Sequence, residues 1–248
     1  MQEAYGQFAS LYDPLMREVD YDGWAAYLAS FLPPGLAVAD CACGTGEITL
    51  RLAHKGFRMI GVDISTDMLE VAAGKARKAG LPIPFICQDM RQLALHKPCG
   101  AVVCACDGVN YLDSPEAAFR FFRAAWNALE PEGLLLFDVS SAYKISHVLS
   151  CNTFAEEQEA CAYIWRNAYD DRNRLLEMEL TFFKREEGGL YRRFTERHLQ
   201  RAHSRQELLK ALDRAGFEAC VYDAFTKEPP KEKSERLQFV ARRIENKK

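Results

Sequence analysis

The chain has 248 residues, 48% of them hydrophobic and 27% charged, the composition of a packed globular protein and not of a disordered one. Its formal net charge of −3 sets it apart from dedicated nucleic-acid binders, which are basic. The nine cysteines form no CxxC pair and are odd in number, no signal-like leader is seen, and no apolar run reaches the roughly 20 residues of a membrane helix; a cytoplasmic protein without zinc-ribbon or disulfide scaffolding is expected.

Residues 6–32 read as helical, with Trp24, Leu28, Phe31 and Leu32 on one face and Pro33-Pro34-Gly35 as the stop. Residues 36–42 (LAVADCA) then form a short apolar run suited to a buried parallel strand, broken by Gly44-Thr45-Gly46. A helix from Glu47 to His54 and a strand at 57–63 (FRMIGVD) follow. Ser65 is the expected N-cap of a helix running to Ala79, with Gly80 as its stop. Strands are expected at 82–89 and 100–107, then a helix opened by Ser114-Pro115 and running to Leu129, then a fifth strand at 134–140. Strands alternating with helices imply a doubly wound α/β fold with a mainly parallel sheet and right-handed crossovers.

From Tyr143 to Ala202 the pattern changes to alternating aromatic and charged residues, which read as antiparallel strands turning at 170–173 and at 187–189. Residues 143–202 are therefore expected to be a β-rich insertion in a domain made of 1–142 and 203–248. After it come a helix capped by Ser204 and a final hairpin-like pair of strands, which bring the main sheet to seven strands.

Asp40-Cys41-Ala42-Cys43-Gly44-Thr45-Gly46 lies directly after a strand and directly before a helix, where a glycine turn lets a ligand approach the backbone. A dinucleotide site wants a third glycine, and Thr49 stands there instead. Asp63 closes the second strand at a spacing that suits an acceptor for both hydroxyls of a ribose; the same residue also suits a helix cap.

At these residues the sequence resembles the class I S-adenosylmethionine-dependent methyltransferases, a Rossmann-like family. Their acidic-x-Gly-x-Gly-x-Gly motif is matched at Asp40, Gly44 and Gly46 and departs at Ala42, where glycine is usual. Ile64 follows Asp63, and the family's Ser-x-x-Met-Leu continuation is matched by Ser65, Met68 and Leu69. The resemblance implies S-adenosylmethionine as cofactor, with Asp63 on the ribose, Asp89 and Met90 on the adenine, and Ala42, Cys43, Gly44 and Gly46 around the methionine part. By position Asp107, Asn110 and Tyr111 face the methyl end, with an Asx turn at Asp107-Gly108 as an equal reading.

The opening Tyr5-x-x-Phe8-Ala9-x-x-Tyr12-Asp13 resembles that of a bacterial subfamily containing small-molecule and sugar-amine N-methyltransferases, which makes Tyr12 a candidate for the methyl-transfer end, or else an apolar staple. The whole sequence is most similar to the YqeM-like group, and 193–201 resembles the last strand of the small β subdomain in such relatives.

In a strand Glu196, His198 and Gln200 share one face, which makes His198 a candidate general base or a merely solvated side chain. No metal-ligand spacing is seen. The expected partner is a small-molecule methyl acceptor, N before O, with no membrane, with nucleic acid disfavoured, and with a monomer or homodimer. The competing readings are an RNA or protein methyltransferase using the basic residues of the insertion, a non-catalytic cofactor-binding protein, and a nicotinamide oxidoreductase.

Overall fold

The computed structural model describes residues 9–157 and 161–244. The expected helix over 6–32 is two helices, α1 (Ala9–Leu15) and α2 (Tyr21–Ala29). Asp20 restarts the helix, its carboxylate accepting from the Gly23 amide at 2.8 Å, and so divides one apolar stripe into two. Tyr5 and Phe8 of the opening motif, and the start of the expected helix at 6–8, lie outside the described residues.

The nucleotide-fold core follows: β1 (Ala37–Cys41), α3 (Glu47–His54), β2 (Arg58–Asp63), α4 (Thr66–Lys78), β3 (Phe85–Cys87), β4 (Cys99–Cys104), α5 (Pro115–Ala128) and β5 (Leu129–Ser140). Each long helix starts at a capping side chain: Ser65 accepts from Met68 N at 3.3 Å and Ser114 from Ala117 N at 3.2 Å, each cap contributing about 1 kcal/mol. β3 is much shorter than expected, because Pro82 and Pro84 have no amide to donate; Pro84 serves only as acceptor, for Gly61 N at 3.0 Å.

The insertion strands are β6 (Thr153–Glu157), β7 (Cys161–Asp170), β8 (Leu175–Arg185) and β9 (Tyr191–Arg201). They are followed by α6 (Arg205–Ala215), β10 (Phe217–Asp223) and β11 (Arg236–Arg243). The main sheet has the order β10-β11-β5-β4-β1-β2-β3, parallel from β1 to β5 with β11 antiparallel on β5. One face is covered by α5 and α6 through Phe121, Phe122, Leu208 and Leu212, the other by α2 and α3 through Trp24, Leu28, Ile48 and Leu52. This is the doubly wound, mainly parallel seven-stranded architecture. All nine cysteines are free, and Cys41, Cys99, Cys104 and Cys161 are buried as small apolar residues.

The stretch after β5 is not strand from its start: Lys144–Leu149 form a π-helical turn. Asn167 Nδ2 holds it by donating to Leu149 O at 3.1 Å. The four-stranded antiparallel sheet β6-β7-β8-β9 begins only at Thr153. Met178 stands opposite His198 and Leu180 opposite Glu196 in its register. One face of this sheet packs on α1 and α4, with Cys161 and Phe182 against Ala9 and Met68; the same sheet packs on the π turn, with Leu176 and Met178 against Ile145 and Leu149.

A buried ionic brace joins β11, β5 and the loop after β4. Arg236 pairs with Asp107 (Nη1 to Oδ1, 2.6 Å) and with Asp138, which is 1% exposed. Asp138 also accepts from Cys106 N at 2.8 Å, and Asp107 from Ser140 N at 2.8 Å. Burial raises the Asp138 pKa to about 6 against the pull of the Arg236 charge. Removing one partner of a buried pair leaves an uncompensated charge. Arg236→Met is therefore expected to cost about 3–5 kcal/mol in urea unfolding. The loss should be smaller in mild acid, where Asp138 takes up a proton; a variant as stable as the parent at neutral pH would overturn the brace.

Candidate active site

In an open α/β sheet ligands bind beyond the carboxyl ends of the strands, where the strand order reverses. Here that point lies between β1 and β4. The turn leaving β1 holds three left-handed residues, Ala42 (φ 54°), Gly44 (φ 53°) and Gly46 (φ 81°). A Cβ on Gly46 would meet Leu50 Cδ1 at 2.9 Å and Ala72 Cβ at 3.1 Å, so this glycine lets α3 and α4 close on the turn.

Asp63, at the end of β2, accepts from Gly44 N at 2.8 Å and from Ser65 N at 2.9 Å, and burial raises its pKa. In a dinucleotide site the amides of this turn face a pyrophosphate. Here the Gly44 amide already faces a carboxylate. Asp40 lies beneath the turn, fully buried, with Thr49 Oγ1 donating to it at 2.5 Å; burial raises its pKa to about 7. Thr49, the residue that spoils the dinucleotide spacing, is thus the partner of the motif's own acid. Asp107 and Asp138 at this end of the sheet are matched by Arg236, which leaves Asp63 as the carboxylate lying on the turn amide, a place that suits a cationic ligand better than a phosphate.

Other side chains singled out from the sequence differ in their exposure and partners. Asp89 caps the turn Met90–Gln92 through Arg91 N at 2.9 Å and is clasped by Arg91 Nε at 2.9 Å; that hydrogen-bonded guanidinium holds its pKa down. Met90 is half-buried, with Sδ 4.0 Å from Cys104 Sγ. Met68, 2% exposed, is a core residue under α1 and the insertion, away from open space. Asn110 has no exposed surface: its Oδ1 accepts from Ser140 N at 2.9 Å, and its Nδ2 donates to Ser140 O at 3.1 Å and Arg201 O at 2.9 Å. It clamps the end of β9 to the end of β5. Ile64, by contrast, is 48% exposed at the mouth of the crevice.

Tyr12, Tyr111 and His198 converge. Burial raises the pKa of Tyr12, followed by its nearness to Tyr21, Cys106 and Tyr111. Tyr111 Oη lies 3.5 Å from His198 Nδ1, with the rings edge to face. Burial pushes the His198 pKa down to about 4, so the imidazole is neutral near pH 7, and pushes Glu196 up to about 7.

A second network, unforeseen except for its Asp13, ties α1 to the glycine turn. Asp13 accepts from Thr45 Oγ1 at 2.5 Å and from Lys75 Nζ at 2.6 Å; Lys75 also pairs with Glu47, and Glu47 with Arg51. Among the described residues no set of three side chains could hold a metal ion. No described helix is long and apolar enough to cross a membrane.

The methyltransferase-domain family matches residues 38–133. Over 241 residues the chain is 39% identical to the Bacillus subtilis (strain 168) protein YqeM, whose methyltransferase designation is provisional; the match covers 96% of this chain and 97% of that one. The chain belongs to the YqeM-like S-adenosylmethionine-dependent methyltransferases. An S-adenosylmethionine-dependent methyltransferase from Clostridium acetobutylicum ATCC 824 superposes with a TM-score of 0.87 at 31% identity, over 96% of this chain and 98% of that one. A sugar N-methyltransferase from Streptoalloteichus sp. ATCC 53650 shares the fold, with a TM-score of 0.77 at 22% identity over 99% and 96% of the two chains.

Within this methyltransferase Ala42 is the strained member of the turn leaving β1. A left-handed alanine costs about 1–2 kcal/mol, while glycine gives back about 0.5–1 kcal/mol in unfolded-chain entropy. Ala42→Gly is expected to raise stability in denaturant titrations by about 0.5–1 kcal/mol without weakening cofactor binding; destabilisation would mean that the Ala42 methyl contributes packing that outweighs the strain.

Proposed function

We propose that this methyltransferase acts on the nitrogen of a small-molecule acceptor, held between the loop after β4 and the inner face of the insertion sheet. One observation carries this reading: Glu196, His198 and Gln200 of β9 are all buried, and His198 meets Tyr111 at the carboxyl end of β4. An inserted sheet thus turns its polar face towards the reaction end of the crevice. The sugar N-methyltransferase that shares the fold supports the choice of acceptor class. Basic residues of the insertion pair with neighbouring acids, Arg192 with Glu186 at 2.7 Å and Arg197 with Glu179 at 3.0 Å, which disfavours a phosphate-binding surface for RNA.

In this reading residues 1–142 and 203–248 hold the cofactor and 143–202 cap the acceptor. Asp63 would hold the ribose hydroxyls, Asp89, Met90 and Ile64 the adenine, and the turn from Ala42 through Cys43 to Gly46 the methionine part, with Asp40 and Asp107 supplying negative charge around it. Bound S-adenosylmethionine supplies a methyl group already activated on a sulfonium. The chain's own task is then to orient the acceptor in line, about 3 Å from the methyl carbon, and to exclude water. Tyr12 and Tyr111 line that end, α1 closing over it through the Asp13 ties. A nitrogen lone pair attacks without prior loss of a proton from a hydroxyl, so neutral His198 serves to position Tyr111 and the acceptor.

Calorimetric titration tests the cofactor half. S-adenosylmethionine and S-adenosylhomocysteine are expected to bind, NAD is not, and Asp63→Ala should weaken the sulfur ligands by more than about tenfold, or 1.4 kcal/mol. Unchanged affinity in that variant would remove Asp63 from the cofactor site.

A further inference from the structure

Glu196 is 5% exposed and has no hydrogen-bond or ionic partner among the described residues. A largely buried carboxylate ordinarily has a cation or a set of donors beside it. No such partner is present for Glu196 among the described residues, and its oxygens keep access to solvent. On its own strand Arg197 points to the other face and pairs with Glu179. The nearest cation on the same face of β9 is Arg192, four residues away or about 13 Å, and it pairs with Glu186. His198, the next residue on that face, is kept neutral by burial.

Leu180 stands opposite both Glu196 and Trp165, and Met178 opposite both His198 and Asn167, so these four residues share one side of the sheet with Leu180 and Met178 between them. Trp165 Nε1 and Asn167 Oδ1 are buried without hydrogen-bond partners among the described residues.

We infer that Glu196 is the ammonium subsite of this enzyme: it selects an acceptor carrying a cationic amine and takes that amine's proton. The inference rests on the proposed small-molecule acceptor site. In the proton step an N–H bond of the ammonium breaks, its electron pair stays on nitrogen, and an O–H bond forms on Glu196, which later releases the proton to water. A raised carboxyl pKa of about 7 suits a group that must accept and release a proton near neutrality. A hydroxyl or an N-acyl nitrogen carries no charge for Glu196 to hold, so both are discriminated against.

The test separates this inference from the reading beneath it. Wild type, Glu196→Gln and Glu196→Asp are first titrated with S-adenosylhomocysteine; failure of the wild type to bind would sink the cofactor reading itself, whatever Glu196 does. The complexes are then titrated with a panel of amino sugars, amino alcohols and polyamines and with their N-acetyl counterparts. Expected is a wild-type protein that binds at least one amine and not its N-acetyl form, a loss of about tenfold or more in Glu196→Gln, and partial retention in Glu196→Asp. Equal binding of an N-acetyl form, binding by Glu196→Gln within about threefold of wild type, or no amine bound by a wild type that binds S-adenosylhomocysteine would each overturn it. Should Glu196→Gln fail to fold, the wild-type contrast and Glu196→Asp still decide.

Discussion

The carboxylate of Asp63 on the amide of Gly44 is the bond around which the rest of this molecule is arranged. It fixes the turn between β1 and α3 while filling the place where an anion would otherwise sit. Once that place carries negative charge, the crevice favours a positively charged ligand, and a sulfonium is one. The tight turn in turn depends on Gly46, whose missing Cβ lets Leu50 and Ala72 come together beneath it. The Arg236 brace does the same for the opposite wall, holding the loop after β4 against β5 and β11.

Two pieces distant in sequence, α1 and the inserted sheet, pack together beside this floor. They meet in one small apolar cluster with α4, through Ala9, Met68, Cys161 and Phe182. The Asp13 ties bind α1 to the glycine turn, and the Asn110 clamp binds β9 to the core. Glycine turn, α1 and insertion are therefore joined by direct contacts.

Much of the fold was legible because its signals are local. Ser65 and Ser114 mark helix starts, since a hydroxyl can cap only the turn that follows it. The apolar runs at 36–42 and 57–63 mark buried parallel strands, whose two faces are both covered. The single helix expected over 6–32 failed because periodicity reads the stripe and not the Asp20 cap that interrupts it. The π turn at Lys144–Leu149 was likewise hidden, being held by a side chain, Asn167, eighteen residues further on.

By itself the sequence determined the order of most strands and helices, the glycine turn and the family, because these depend on the spacing of neighbouring residues and on local turn chemistry. Tertiary structure alone decided which polar groups are consumed and which are left over. Asp107 meets Arg236 across 129 positions and Asn110 meets Arg201 across 91, and no local pattern encodes such distances. Asn110 and Met68 became supports and Asp89 a clasped cap, while Glu196 was left buried without a countercharge, because sheet order and the docking of the insertion assign partners that spacing along the chain cannot.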